Sequence, residues 1–175
     1  MDYKTGKYNL LIRQYKSKIF SYALYMLRNR MDAEDVTQEV FIRIWQNEDK
    51  FNILSAKTWI MRSTHNLCID FLRRRTVSYD RNREIDEVIE NTIPGPESHQ
   101  PGIITEAVNT ETLIKQAVMN LPENLKSVFV LYEIEGLKYS EISKTLNMPQ
   151  NSAKVYLMRA RLKLRDDLKK YDFLQ

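Results

Sequence analysis

Three observations in the sequence predict an all-α chain of two small helical domains joined by a flexible acidic linker. Across 175 residues there are only four glycines and five prolines, while Leu, Ile, Lys, Arg and Glu are plentiful, a mixture that favours helices. Apolar residues recur at steps of three and four along most of the chain, the period of amphipathic helices. Charge falls in blocks: residues 1–75 carry a net +6, 76–111 a net −6 and 112–175 a net +4. The acidic block also holds Pro94, Pro96, Pro101, Gly95 and Gly102, which is the composition of a tether and predicts mobility after Asn91. The domains are accordingly read as 1–75 and 111–175, with 76–110 as the linker.

In the first domain Tyr8, Leu11, Ile12, Tyr15, Ile19, Tyr22, Ala23 and Met26 form one face of a first helix. Asp32 is the expected N-cap of a second helix, with Glu34 and Asp35 in the first turn where they suit the helix dipole; it runs to about Gln46. After a loop at 47–54, Ser55 or Thr58 is expected to cap a third helix reaching Arg75, and a short separate helix fits near 83–90. The second domain opens with a helix near Glu111–Asn120. Pro122 then sits where a helix start tolerates it, and that helix continues to Gly136. A short helix from Ser140 to about Leu146, the breaker Asn147-Met148-Pro149 and a long helix from Gln150 together make the helix-turn-helix pattern.

Composition narrows the function classes. No apolar run approaches the ~20 residues needed to cross a bilayer, and the start of the chain lacks a signal-peptide pattern, so a cytoplasmic protein without membrane insertion is expected. Cys68 is alone and lies on an apolar helix face, which reads as an inert core thiol. His65 and His99 offer no metal-ligand spacing, and no cofactor is expected. There is no nucleophile with a base and no Gly-rich phosphate loop, which argues against an enzyme.

Three side-chain constellations remain. On the second helix Val36, Val40, Phe41, Ile44 and Trp45 spread over one half, while Asp35, Gln38, Glu39 and Gln46 surround Ile42 on the other. An apolar side chain ringed by acids and amides is either a stray surface residue or the centre of a protein-binding face. On the third helix Trp59, Arg62, Ser63, Asn66, Asp70 and Arg73 share the side opposite the apolar arc, and the helix ends in Arg73-Arg74-Arg75. Guanidiniums pair with phosphates, amides read base edges and a ring can stack on an unpaired base; the plainer reading is a solvated face with a partly packed tryptophan. On the last helix Ala153, Leu157, Ala160, Leu164 and Leu168 face inward. Asn151, Ser152, Lys154, Val155 and Met158 lie near its start, with Arg159, Arg161 and Arg165 at the flanks, where a recognition helix meets base edges.

In order and spacing these residues resemble the sigma-70 family, and within it the short extracytoplasmic-function (ECF) group. The matching pieces are Asp32-Ala33-Glu34-Asp35-Val36-Thr37-Gln38-Glu39-Val40-Phe41 with Trp45; Thr58-Trp59-Ile60 leading to Asn66, Asp70 and the arginine triplet; and Leu121-Pro122-Glu123 through Gly136-Leu137, Tyr139-Ser140-Glu141-Ile142 and Lys154 to Arg159-Ala160-Arg161. The resemblance implies that 1–75 is a region-2 domain, which grips the β′ clamp helices of core RNA polymerase and melts the −10 promoter element. It implies that 111–175 is a region-4 domain, which reads the −35 element and touches the β flap. On that footing Asp35, Gln38, Glu39, Ile42 and Gln46 become the core-polymerase face. Trp59, Arg62, Ser63, Asn66, Arg73, Arg74 and Arg75 become the −10 DNA face, with the loop 49–57 placed to hold a flipped base. Asn151, Ser152, Lys154, Val155, Met158, Arg159 and Arg161 become the −35 face. Many family members are restrained by an anti-sigma factor, a further partner the resemblance suggests without indicating a face. The chain departs from the family where relatives carry a Gly-Thr-Val-Lys-Ser-Arg-like start to the recognition helix: here Val155 and Tyr156 stand in place of a small hydroxyl and a basic residue, so the promoter sequence does not transfer.

Two rivals follow from the same residues. A regulator with only a helix-turn-helix output domain would leave the Ile42 face and the Trp59–Arg75 stretch without roles. A basic membrane-surface protein would use the two basic blocks alone.

Overall fold

The computed structural model describes residues 3–47, 53–86 and 110–171, and every regular element among them is helical. Helix α1 spans Tyr3–Leu27, α2 Arg30–Asn47 and α3 Ile53–Asp86. After the stretch 87–109, where the acidic, proline-containing part of the linker falls outside the described residues, come α4 (Thr110–Met119), α5 (Glu123–Phe129), α6 (Tyr139–Leu146) and α7 (Gln150–Leu168). No helix of the described residues is long and apolar enough to cross a membrane.

The first three helices pack into one bundle. Leu11, Tyr15, Ile19, Tyr22, Ala23 and Met26 are buried along α1, as their spacing predicts, against Val36, Val40 and Ile44 of α2 and Ile60, Met61, Leu67 and Cys68 of α3. Burying each of the larger aliphatic side chains contributes about 1.5–3 kcal/mol. Thr37 and Thr64 are buried as well, but each hydroxyl donates to a carbonyl one turn back, Ala33 at 2.7 Å and Ile60 at 2.8 Å. Trp45 departs from expectation. It is 41% exposed at the rim, edge-on to Tyr8 at 5.1 Å, with the Lys4 ammonium 4.9 Å from its ring centre.

The helix starts also differ from the sequence reading. Arg28 takes a left-handed φ of 54° to end α1, and the Asn29 side chain accepts the Asp32 N–H at 3.1 Å. Asn29 therefore caps α2, and Asp32 sits inside the first turn. Ser55 and Thr58 lie within α3, which begins at Ile53 and continues past Arg75 to Asp86 because Thr76–Asp86 contains neither Gly nor Pro to stop it.

In the second domain α5 widens into a π-helical turn at Val130–Ile134, closed by Glu135 N–H to the Val130 carbonyl at 2.9 Å. Gly136 follows with φ +67°, a backbone that strains any other residue. Lys138 N–H then donates to the Glu141 carboxylate at 2.7 Å and starts α6. Asn147 ends that helix in the left-handed region (φ 52°), Ser143 Oγ donates to the Met148 carbonyl at 2.6 Å, and Pro149 leads into α7. Ala153, Leu157, Ala160 and Leu164 are the buried line of α7.

The two domains touch. Helix α6 packs on α3, and α5 and the π turn pack on α1. Lys18 Nζ donates to the Glu135 carbonyl and Lys57 Nζ to the Glu141 carboxylate, both at 3.0 Å. Burial pushes the Glu135 carboxyl up, against the opposing pull of Ser21 and Lys18.

Candidate partner-binding and DNA-binding faces

Helix α2 turns Val36, Val40 and Ile44 inward with Thr37 beside them, which leaves the opposite side of the helix facing out. Asp35, Gln38, Ile42 and Gln46 are exposed, and Ile42 retains half of its surface to solvent. Glu39 is half-buried and accepts the Arg43 guanidinium at 2.9 Å, which leaves Gln38 and Ile42 as the centre of the face. Beside it runs an open groove of about 440 Å³ between α1 and α2, lined by Lys16, Phe20, Arg30, Glu34, Thr37, Gln38 and Phe41. Sequence reasoning missed this groove. Its signal was that Phe20 and Phe41 stand off the main apolar lines of their helices.

On α3 the inward line of Ile60, Met61, Thr64, Leu67 and Cys68 leaves Arg62, Asn66, Arg73 and Arg74 exposed, with Trp59 and Ser63 half-buried beside them. Arg74 lies over the Phe71 ring, 4.8 Å from its centre, and Arg73 stands 3.8 Å from Asp70. Arg75 is placed differently. Its guanidinium pairs with Asp32 and donates to the Leu27 carbonyl at 3.0 Å, so it ties α3 to the α1–α2 junction and satisfies a carbonyl at the end of α1 that the helix itself leaves open. Residues 49–52 of the expected base-holding loop lie outside the described residues; Ile53–Lys57 form the first turns of α3, with Lys57 engaged to Glu141.

Below this face the bundle holds a polar pair. The Tyr22 hydroxyl and His65 Nδ1 share a hydrogen bond of 2.8 Å. Burial lowers the imidazole to about 4, so near pH 7 it is neutral, with one ring nitrogen a donor and the other an acceptor. Burial also pushes the Cys68 thiol up, which keeps it protonated and unreactive.

On α7 Asn151, Lys154, Val155, Met158, Arg159 and Arg161 are exposed and Ser152 is half-buried. The Lys154 ammonium lies 5.7 Å from the centre of the Tyr139 ring. Arg161 is tied to the domain itself: its Nε donates to Glu133 at 2.8 Å, a bond that raises its pKa, and its guanidinium lies over Tyr132. Tyr156 is half-buried against the core and packs with it. Leu162, which sequence reasoning also missed, extends the exposed apolar line one turn beyond Met158 with 42% of its surface exposed.

Comparison with known proteins places both domains. The sigma-70 region 2 family matches residues 11–77, and the sigma-70 region 4 family matches residues 111–164. The chain is 32% identical over 160 residues to the ECF RNA polymerase sigma factor SigW of Bacillus subtilis (strain 168), covering 89% of this chain and 85% of that one. It is 26% identical to SigM of the same organism over 159 residues, covering 89% and 91% respectively. Among solved structures it is similar to the sigma factor RpoE in complex with the anti-sigma factor NepR from Bartonella quintana, with a TM-score of 0.69 at 20% identity over 92% of this chain and 96% of that one. It is also similar to CnrH in complex with the cytosolic domain of CnrY, with a TM-score of 0.63 at 18% identity over 93% and 88%. Both structural likenesses speak to the fold, a region-2 bundle followed by a region-4 helix-turn-helix domain. With both family regions matched in order and a relative above 30% identity along most of its length, this chain belongs to the sigma-70 family, in its ECF group.

Proposed function

We propose that three exposed faces divide the work of this sigma factor, the subunit that directs RNA polymerase to promoters for transcription initiation. The α2 face, centred on Gln38 and Ile42 with Asp35, Glu39 and Gln46 around them, docks the β′ clamp helices of core polymerase. The α3 face, with Trp59, Arg62, Ser63, Asn66, Arg73 and Arg74, opens and holds the −10 element. The start of α7, with Asn151, Ser152, Lys154, Val155, Met158 and Arg159, enters the major groove of the −35 element. The observation that carries this reading is the half-exposed Ile42: a large aliphatic side chain, ringed by polar groups beside an open groove, that contributes little to its own core and is shaped for a partner. One similar chain of known structure, the sigma factor RpoE of Bartonella quintana, is bound to an anti-sigma factor, which supports a partner of that class here.

The test is a Gln38→Ala/Ile42→Glu double variant. Placing a carboxylate at the centre of an apolar contact leaves it unpaired and desolvated, so retention by immobilised core polymerase should fall at least tenfold while the far-UV circular dichroism stays unchanged. Undiminished retention of a folded variant would remove α2 as the docking face.

A further inference from the structure

The outward line of α7 is apolar where a DNA-docking helix would be expected to be polar. At 3.6 residues per turn, Asn151, Val155, Met158 and Leu162 lie directly opposite the buried line of Ala153, Leu157, Ala160 and Leu164. Val155 is 40% exposed and Met158 54%, and no other element of the described structure covers them. The flanks of the line are cationic and amphipathic: Lys154 and Arg159 are exposed on either side of it. Cations flanking an apolar ridge complement a groove whose rims are phosphates and whose floor carries methyl groups. In duplex DNA that description fits the major groove over thymines, since the C5-methyl of thymine is the one apolar group a base pair presents there.

We propose that Val155 and Met158 are specificity-determining residues that read thymine C5-methyl groups in the upstream promoter element, an inference that rests on α7 being the −35 reading helix. The spacing suits it. Val155 and Met158 are about 4.5 Å apart along the helix axis, close to one base-pair step of about 3.4 Å, so the two side chains meet neighbouring base pairs. Asn151, about 6 Å before Val155, brings an amide to the same floor, where it can pair with the edge of an adenine. Leu162 lies about 6 Å beyond Met158, on the side away from the helix start that meets base edges, and its flank is occupied by Arg161, already held by Glu133.

The experiment uses the full chain assembled with core polymerase. Selection from a randomised duplex promoter pool first defines the upstream element, and each thymine of that element is then replaced in turn by uracil, which differs only in lacking the methyl. Binding should weaken about three- to fourfold at one or two neighbouring positions, the effect of removing one buried methyl from an apolar contact. Val155→Ala/Met158→Ala should bind the thymine and uracil duplexes alike, while Leu162→Ala should still discriminate. If the wild-type assembly binds both duplexes equally at every position, or the double variant still discriminates, the methyl-reading role is overturned. If Val155→Ala/Met158→Ala instead loses core polymerase with no dependence on the base, the ridge is a protein-docking face and the inference is again overturned. In each of those cases a loss of duplex binding in Lys154→Ala/Arg159→Ala leaves α7 standing as the −35 helix. Selection without any upstream element, together with no effect of that cation-removing variant, would bring down the parent reading as well.

Discussion

The outward faces of α3 and α7 are built from different side chains. On the α3 face Arg62, Asn66, Arg73 and Arg74 are exposed, and Trp59 and Ser63 are half-buried beside them. Along α7 the central line is aliphatic, and the cations stand to either side. An aliphatic ridge has methyl groups to meet in an intact major groove but little to offer an unstacked base. A ring flanked by amides and guanidiniums can stack on a base and hydrogen-bond its edges once it leaves the helix. The contrast teaches that the two domains suit two states of the same promoter, closed duplex for α7 and opened strand for α3.

The largest expected effect breaks that comparison if it is wrong. Lys154→Ala/Arg159→Ala should weaken duplex promoter binding tenfold or more and lower the salt dependence of log K by about two units, near the ~0.9 expected for each phosphate left without its cation. It should leave activity largely intact on a template whose −10 element is already single-stranded. Trp59→Ala/Asn66→Ala should still dock on duplex but lose permanganate reactivity of the promoter thymines, with only partial rescue on the opened template. Each base-reading loss is of the order of ~1–3 kcal/mol. The same defect in both variants on both templates would end the division of labour between α3 and α7.

A second contrast lies in the cores and sharpens the first through pH. In the first domain partial burial lowers His65 to a pKa of about 4 against the usual 6.5, so between those values the unfolded chain binds the proton and the folded chain does not. Stability from this group is therefore complete above about pH 6.5 and is lost as pH falls toward 4, by about 2 kcal/mol at pH 5. At the domain contact Glu135 is raised by burial, and the sign is opposite: its contribution is complete at low pH and is lost as pH rises through its folded value. Acid should thus loosen the first domain while favouring the contact. Trp45 and Trp59, the two tryptophans of the chain, both report on the first domain. Urea unfolding followed by their fluorescence should shift to lower urea between pH 7 and pH 5, and His65→Gln, which keeps a hydrogen-bonding partner for Tyr22, should remove most of the shift. An equal shift in the variant would move the origin of the acid sensitivity elsewhere.

What could be read from sequence was whatever repeats along a single helix. The inward lines of α1, α3 and α7, the outward Ile42, and the turn before Gln150 all follow from periodicity and from Asn147-Met148-Pro149. What could not be read depends on pairs distant in the chain. Tyr22 and His65 meet only because α1 and α3 are neighbours, and Lys18 and Lys57 look like ordinary surface cations until Glu135 and Glu141 are brought beside them. The cap of α2 was misplaced because Asp32 and Asn29 are both good N-cap residues. The left-handed Arg28 decides for Asn29, and a backbone dihedral leaves no mark in the identity of an arginine. The arginine clusters were ambiguous for the same reason, since nothing in Arg73-Arg74-Arg75 says which guanidinium turns back to the fold.

That ambiguity carries the smallest prediction and separates structural from DNA-facing cations in both domains. Arg75 links α3 to Asp32 and to the end of α1, and Arg161 links α7 to Glu133. Their side chains are 44% and 55% exposed, so each link is worth about 1 kcal/mol or less, with the carbonyl bond placing Arg75 at the upper end. Arg75→Ala and Arg161→Ala should therefore lower the urea midpoint slightly and leave the salt dependence of promoter binding almost unchanged. Arg73→Ala/Arg74→Ala and Arg159→Ala should do the reverse, holding the urea midpoint and flattening the salt dependence, because the contacts of Arg73 and Arg74 with Asp70 and Phe71 stay within about one turn of α3 and join no second helix. Lysine at position 75 is the discriminating control. It keeps the charge but loses the fork that reaches Asp32 and the Leu27 carbonyl together, so Arg75→Lys should resemble Arg75→Ala in stability. If it instead restores stability while Arg75→Ala flattens the salt dependence, Arg75 acts as a point charge toward phosphate, and the −10 face of α3 extends to the whole arginine triplet.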